Sequence, residues 1–135
     1  MIINELIIGQ KCEMRKVFSE DDVKSFSLLS NDTNPIHLDE SYASNFIFKK
    51  RIVHGFLSSS LFSAIIGTIM PGPGSIYLHQ DLDFRKPIYI GEEVRAVVEI
   101  TSIKVEKSVV YLSTKCYNEK DEITVEGNAV IKLAC

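Results

Sequence analysis

The segment Ser30-Asn31-Asp32-Thr33-Asn34-Pro35-Ile36-His37-Leu38-Asp39 sets a carboxylate and an imidazole five residues apart, with Pro35 stiffening the span between them. Spaced in this way, Asp32 and His37 can converge on one small volume. A carboxylate and an imidazole together can hold one water molecule and move protons in both directions near neutral pH. The same residues also support a plainer structure. In that alternative, Asp32 and Asn34 bond the local backbone as an Asx-turn and His37 lies on the surface.

Val53-His54-Gly55 stands immediately before a long apolar segment. A glycine at a helix start offers a bare N–H at the positive end of the helix dipole, suited to a carbonyl oxygen that gains negative charge. The simpler reading is an ordinary glycine N-cap. Further along, Ser59, Ser63 and Gly67 follow at four-residue steps and form a ridge of small side chains. Such a ridge lets a strand or an extended ligand approach closely. A nucleophilic serine is not expected, because no G-x-S-x-G elbow and no supporting acid–histidine order is present. His37, His54 and His79 show neither H-x-H nor H-x-x-x-H spacing, so no metal is expected. No G-x-G-x-x-G or Walker motif points to a nucleotide.

These residues need elements to hold them. Ser19, followed by acids at 20–22 and by Val23, Phe26 and Leu29 at helical spacing, predicts a capped helix. Before it, Cys12 to Phe18 reads as a strand. Asp39 can cap a short helix carrying Tyr42, Ala43 and Phe46. The segment Phe56 to Met70 is apolar on nearly every side, which predicts a fully buried helix. Pro71-Gly72-Pro73-Gly74 then separates this mostly helical half from one built of strands. Ile76, Leu78, Leu82 and Phe84 alternate with polar residues, as do Val94 to Ile100, Val110 to Cys116 and Ile123 to Leu133. Alternation with period two implies half-buried antiparallel strands, and the turns between them predict a four-strand meander. The fold class expected is α+β: a sheet of about five strands wrapped around one buried helix. One curved sheet leaves an open side, which a second copy would close.

The whole chain, 1–135, fits one domain and can bury roughly two-thirds of its unfolded surface. Fifteen basic against eighteen acidic residues give a net charge of -3, and no basic run exceeds Lys49-Lys50-Arg51, so no nucleic-acid partner is expected. Cys12, Cys116 and Cys135 are odd in number and widely spaced, as suits inert thiols in a reducing compartment. Met1 to Gly9 carries Glu5 and no basic stretch, so it does not read as an export address, and a cytoplasmic location is expected. No membrane span is expected either, because the apolar helix falls short of the ~20 residues required.

At these residues the sequence resembles the MaoC-like family of R-specific enoyl-CoA hydratases, which have the hot-dog fold. The family signature Asp-x-Asn-Pro-x-His-x-Asp is present as Asp32 to Asp39, and its downstream His-Gly as His54-Gly55. Ser60-Leu61-Phe62-Ser63 and Gly74 to Leu78 also look like this family. The resemblance implies that Asp32 and His37 are the catalytic pair and that the Gly55 N–H is the oxyanion donor. On the substrate side it implies that Asn34 supports the loop while Ser63 and Ile66 line the acyl pocket. One departure stands out: the family usually has Gly before the catalytic Asp, and this chain has Asn31. Asn tolerates left-handed backbone better than other non-Gly residues, so the loop geometry can survive.

The activity so implied is hydration of trans-2-enoyl-CoA to R-3-hydroxyacyl-CoA, and the reverse dehydration. No cofactor is required, since adding water to a conjugated thioester transfers no electrons. The implied partners are an acyl-CoA or acyl-carrier-protein thioester and a second copy of the chain, and a branched Ile66 at the pocket's end predicts short acyl chains. Two alternatives are a hot-dog acyl-CoA thioesterase and a non-catalytic acyl-CoA-binding module. The thioesterase would normally place a carboxylate on the central helix, and Phe56 to Met70 contains neither Asp nor Glu. A binding module would have no use for both Asp32 and His37.

Overall fold

Period-two alternation after Gly91 becomes three long strands, β4 (Glu93–Lys104), β5 (Val109–Tyr117) and β6 (Ile123–Leu133). The structure, a computed structural model, describes residues 3–134; Cys135, expected to be inert, lies outside them. On β4, Val94, Ala96, Val98 and Ile100 are fully buried, and the residues between them are half-buried. The same alternation runs along β5. Earlier in the chain come β1 (Lys11–Val17), α1 (Glu20–Ser30), α2 (Pro35–Leu38), α3 (Glu40–Ser44), α4 (Gly55–Thr68), β2 (Ser75–Gln80) and β3 (Asp83–Phe84). The sheet is antiparallel in the order β1-β4-β5-β6-β2, with the two-residue β3 also paired to β6.

Only β4, β5 and β6 form the meander expected of four strands. The strand beginning near Ile76 divides into β2 and β3, and both pair with β6 rather than with β4. Periodicity reports which face a residue takes and carries no information about which neighbour the strand chooses. The division comes at Asp81, whose N–H donates to the Asn128 carbonyl at 3.0 Å and whose Oδ1 accepts from the Asn128 N–H at 3.0 Å. Gly127 permits this approach: a Cβ there would lie 1.8 Å from the Asp81 carbonyl oxygen.

Helix α4 fills the concave side, packing against β1, β2, β4 and β5. Leu61, Phe62, Ile65 and Ile66 face the sheet and join β4, β5 and β6 in one core. The expectation that α4 is buried all round is not met. Phe56, Ser60, Ser63 and Gly67 form an exposed face, with Phe56 at 67% exposure. One sheet can cover only one side of a helix. The expected buried face of β2 and β3 is likewise open: Ile76, Leu78 and Phe84 are 45%, 55% and 51% exposed, because no described residue covers that edge. At the opposite edge, β1 carries charges instead; Lys11 pairs with Glu99 and Arg15 with Glu93, which discourages strand addition there.

Ser19 caps α1 through a capping box with Asp22, as its position predicts. The buried stripe of α1 passes through Val23 and Ser27, whereas Leu29 is fully exposed. At 100° per residue Leu29 stands about 240° from Val23, on the far side of the helix. Asp39 caps α3 by accepting from the Tyr42 N–H at 3.0 Å. Among the described residues no helix is long and apolar enough to cross a membrane.

Candidate active site

Three short devices bring the loop after α1 into shape. Asn31 ends α1 in the left-handed region at φ 65°, the conformation the Asn-for-Gly exchange was expected to tolerate. The Asp32 carboxylate accepts from the Asn34 N–H at 3.2 Å, and Asn34 Oδ1 accepts from the Ile36 N–H at 3.2 Å. Asn34 is therefore the N-cap of α2, with Pro35 at its first position. This single turn of helix carries His37 inward to 7% exposure, while Asp32 stays exposed. The Asx-turn and the convergent pair thus coexist. The turn is what aims the pair, and the placement of His37 on the surface is wrong.

His37 Nδ1 lies 2.7 Å from the Ile52 carbonyl oxygen. A carbonyl can only accept, so Nδ1 carries a proton, and in the neutral ring Nε2 presents a lone pair. His54, the residue before α4, is 2% exposed and stacks on His37 with ring centroids 3.8 Å apart. The His54 Nε2 lies 3.0 Å from Ser27 Oγ and 3.3 Å from the Asp32 carbonyl oxygen. Burial, then the neighbouring His37, push the His54 pKa below its ordinary value.

Asp32, His37 and His54 each bring one potential ligand atom within 4.8 Å of the others. Two rings stacked 25° from parallel hold their in-plane lone pairs in nearly parallel planes, a poor arrangement for the convergent ligands of one shared zinc.

Gly55 is the first residue of α4, one place later than an N-cap, which is His54. The His54 carbonyl accepts from the N–H groups of Leu57 and Ser58, leaving the Gly55 and Phe56 amides without an acceptor inside the helix. Gly55, Ile52, Val53, Phe56 and Phe84 help to line a cleft of about 330 Å³, with Arg85 and Lys86 also on its wall. The Phe84 ring lies against Gly55, where a Cβ would come within 2.4 Å of it. Arg85 is neutralised by Glu126 and Asp83, and Lys86 by Glu122, so the wall is not strongly cationic.

The structure brings Asp32 and His37 together beside His54, with Asn34 bonded to Asp32 in the loop, while Gly55, the next residue after His54, lines the cleft, whose lining does not include Asp32, His37 or Asn34. It does not bring Ser63 or Ile66 to this cleft: Ser63 is exposed on the outer face of α4, and Ile66 is in the core at 1% exposure. His79 is exposed on β2, 3.1 Å from Asp81. Sequence reasoning passed over Ser27, Ile52 and Phe84. Ser27 left a signal, a polar residue in the buried stripe of α1. Ile52 acts through its backbone and leaves none.

Residues 4–122 match the model of the MaoC like domain. The chain is 42% identical to an (R)-specific enoyl-CoA hydratase of Aeromonas caviae over 98% of its own length and 99% of that protein's. It is 43% identical to an (R)-specific enoyl-CoA hydratase of Rhodospirillum rubrum, over 91% of this chain and 85% of that one. A solved (R)-hydratase from A. caviae, described as involved in PHA biosynthesis, superimposes with a TM-score of 0.93 at 43% identity, covering 95% of this chain and 97% of that one. The sheet-wrapped helix is accordingly the hot-dog fold, and the chain belongs to the MaoC-like domain family.

Proposed function

We propose that this chain is an R-specific enoyl-CoA hydratase: it adds water reversibly and syn to trans-2-enoyl thioesters, with Asp32 and His37 moving the protons and the Gly55 amide receiving the developing oxyanion. The observation that carries the site assignment is the hydrogen bond from His37 to the Ile52 carbonyl, with the His37 ring close to the Asp32 carboxylate. The carbonyl fixes a proton on Nδ1, so in the neutral ring Nε2 is left as an acceptor. A water bridging the two would be polarised for attack.

In the hydration direction the water oxygen bonds to the β-carbon and the pair takes up the proton that water releases. Electrons of the C=C bond move onto the thioester oxygen, where a fixed N–H in a dry site stabilises charge by several kcal/mol in order of magnitude. The pair then returns a proton to the α-carbon on the same face. Atoms balance as one water added, and no redox cofactor is needed.

The apolar cleft beside Gly55 supports a thioester arm as the occupant, from either CoA or an acyl carrier protein. Asn34 acts by holding the loop. Ser63 and Ile66 remain our assignment for the end of the acyl pocket, resting on the family resemblance and not on the cleft. The exposed Ile76 and Leu78 on the β2 edge, with the small-residue face of α4, support a homodimer in which a second copy closes the open side. Residues 1–135 act as one domain, in the cytoplasm.

Hydration of crotonyl-CoA, followed by loss of the conjugated thioester's ultraviolet absorbance and coupled to an R-specific 3-hydroxyacyl-CoA dehydrogenase, tests the reading. Turnover visible only with an S-specific coupling enzyme, or thioester cleavage without hydration, would overturn it.

A further inference from the structure

We infer that His54 is a positioning residue for the Asp32–His37 pair, holding Asp32 by a hydrogen bond and His37 by its ring face. The inference rests on the hydration reading above. His54 touches both members of the pair by different parts of one side chain. Its Nε2 reaches the Asp32 carbonyl at 3.3 Å, and its ring lies 3.8 Å from that of His37.

The proton on His54 can be placed. The Asp32 carbonyl only accepts, so Nε2 carries the hydrogen, shared with Ser27 Oγ at 3.0 Å. Nδ1 is then a bare acceptor, and it is buried without a hydrogen-bond partner among the described residues. An unpartnered buried acceptor costs stability, and most folds avoid one. His54 is the N-cap of α4 and yet makes no side-chain cap bond, so capping does not explain it. Filling space does not either, since an apolar ring would do that without an orphaned nitrogen. What only histidine supplies here is a flat face for His37 and, at the ring's far end, a donor aimed at the backbone of Asp32. The Phe26 ring also packs against that of His54, 4.8 Å between centroids and 64° from parallel.

Two variants separate the contacts. His54→Phe keeps a flat ring and removes the donor. His54→Gln keeps a donor at the matching distance along the side chain and removes the ring. With crotonyl-CoA, His54→Phe is expected to lower kcat by about 30–100-fold with KM changed less than about threefold, and His54→Gln to restore about tenfold of that loss. A His54→Phe enzyme within threefold of the wild-type kcat, or a His54→Gln variant no better than His54→Phe, would overturn the inference. Heteronuclear NMR of the imidazole nitrogens in the wild-type protein gives a readout that does not depend on turnover or on the folding of a variant. It should show His54 neutral with the proton on Nε2; a proton on Nδ1 would overturn the inference. Wild type and Asp32→Asn run alongside. An inactive wild type or an active Asp32→Asn counts against the hydration reading, which these controls separate from a failure confined to His54.

Discussion

The imidazoles of His37 and His54 lie face to face, 3.8 Å between centroids and 25° from parallel. His37 belongs to the single turn of α2, and His54 begins α4. The stack therefore ties the loop that carries Asp32 to the helix whose first residues, Gly55 and Phe56, line the cleft.

Removing the proton-moving groups should abolish turnover and leave the fold intact. Asp32→Asn and His37→Ala are each expected to cut crotonyl-CoA hydration by about 10²–10⁴-fold. The double variant should fall little below the worse single one, because the two act on one water. Steady-state kinetics check this, with circular dichroism to confirm the fold. Near wild-type turnover in either single variant would remove the assignment.

Stability should depend on pH in a window set by His54. Its folded pKa lies below the ordinary 6.5, so between the two values the unfolded chain binds a proton that the folded chain does not. Stability is therefore lost as pH falls through about 6.5, by at most about 1.4 kcal/mol per pH unit for this group. The lowered carboxylates Glu20, Asp22, Asp81 and Glu122 act in a separate, more acidic window. Thermal unfolding between pH 7 and 5.5 should show the drop in wild type and a flatter profile in His54→Phe.

Two glycines with crowded Cβ positions, Gly127 and Gly55, should respond differently. At Gly127 a methyl meets the Asp81 backbone oxygen, which cannot move without unpairing β2 from β6. Gly127→Ala should destabilise by about 3 kcal/mol or more, at the upper end of overpacking costs. At Gly55 the obstacle is the half-exposed Phe84 ring, which can swing aside. Gly55→Ala should cost about 1 kcal/mol or less, while lowering kcat by disturbing the amide. Tm and kcat measured together separate the two; equal loss of Tm would contradict the difference.

A charge on the open edge should dissociate the proposed homodimer. Leu78→Lys and Ile76→Lys remove apolar surface that a second copy would bury and place cations opposite their own image. Sedimentation should show wild type at twice the chain mass and the double variant near 15.2 kDa with reduced activity. An active wild-type monomer would defeat the proposal.

Wild type should prefer enoyl-CoAs of about four to six carbons, since each further methylene would gain roughly 0.8 kcal/mol only if space existed for it. Ile66→Ala should move the optimum to longer chains. Ile66 is also fully buried, so the same variant should lose about 2–5 kcal/mol of stability to the cavity. A chain-length series with a melting curve measures both effects. Equal efficiency of wild type on octenoyl-CoA and crotonyl-CoA would rule out the short pocket.

Much of this was legible in the residues. The Asp32 to Asp39 signature survives as a local device, because Asx-turns, a Pro at the first helical position and an αL Asn are decided over four or five residues. The strands β4, β5 and β6 follow from alternation, and the caps at Ser19 and Asp39 from single side chains. What could not be read was pairing and exposure. Leu29 and Val23 looked like one stripe, but only the angle about α1, together with what lies beneath it, separates them.

The chain's order of residues by itself determined the local geometry of the site and the faces of the strands, since both depend on short-range sterics and hydrogen bonds. Only the tertiary structure decided that β2 pairs with β6, that α4 keeps one face open, and that His54 stacks on His37 beneath the Asp32 carbonyl. Those relationships join residues 17 to more than 50 positions apart. They are set by how a curved sheet and one helix bury a shared surface, a quantity that no local pattern encodes.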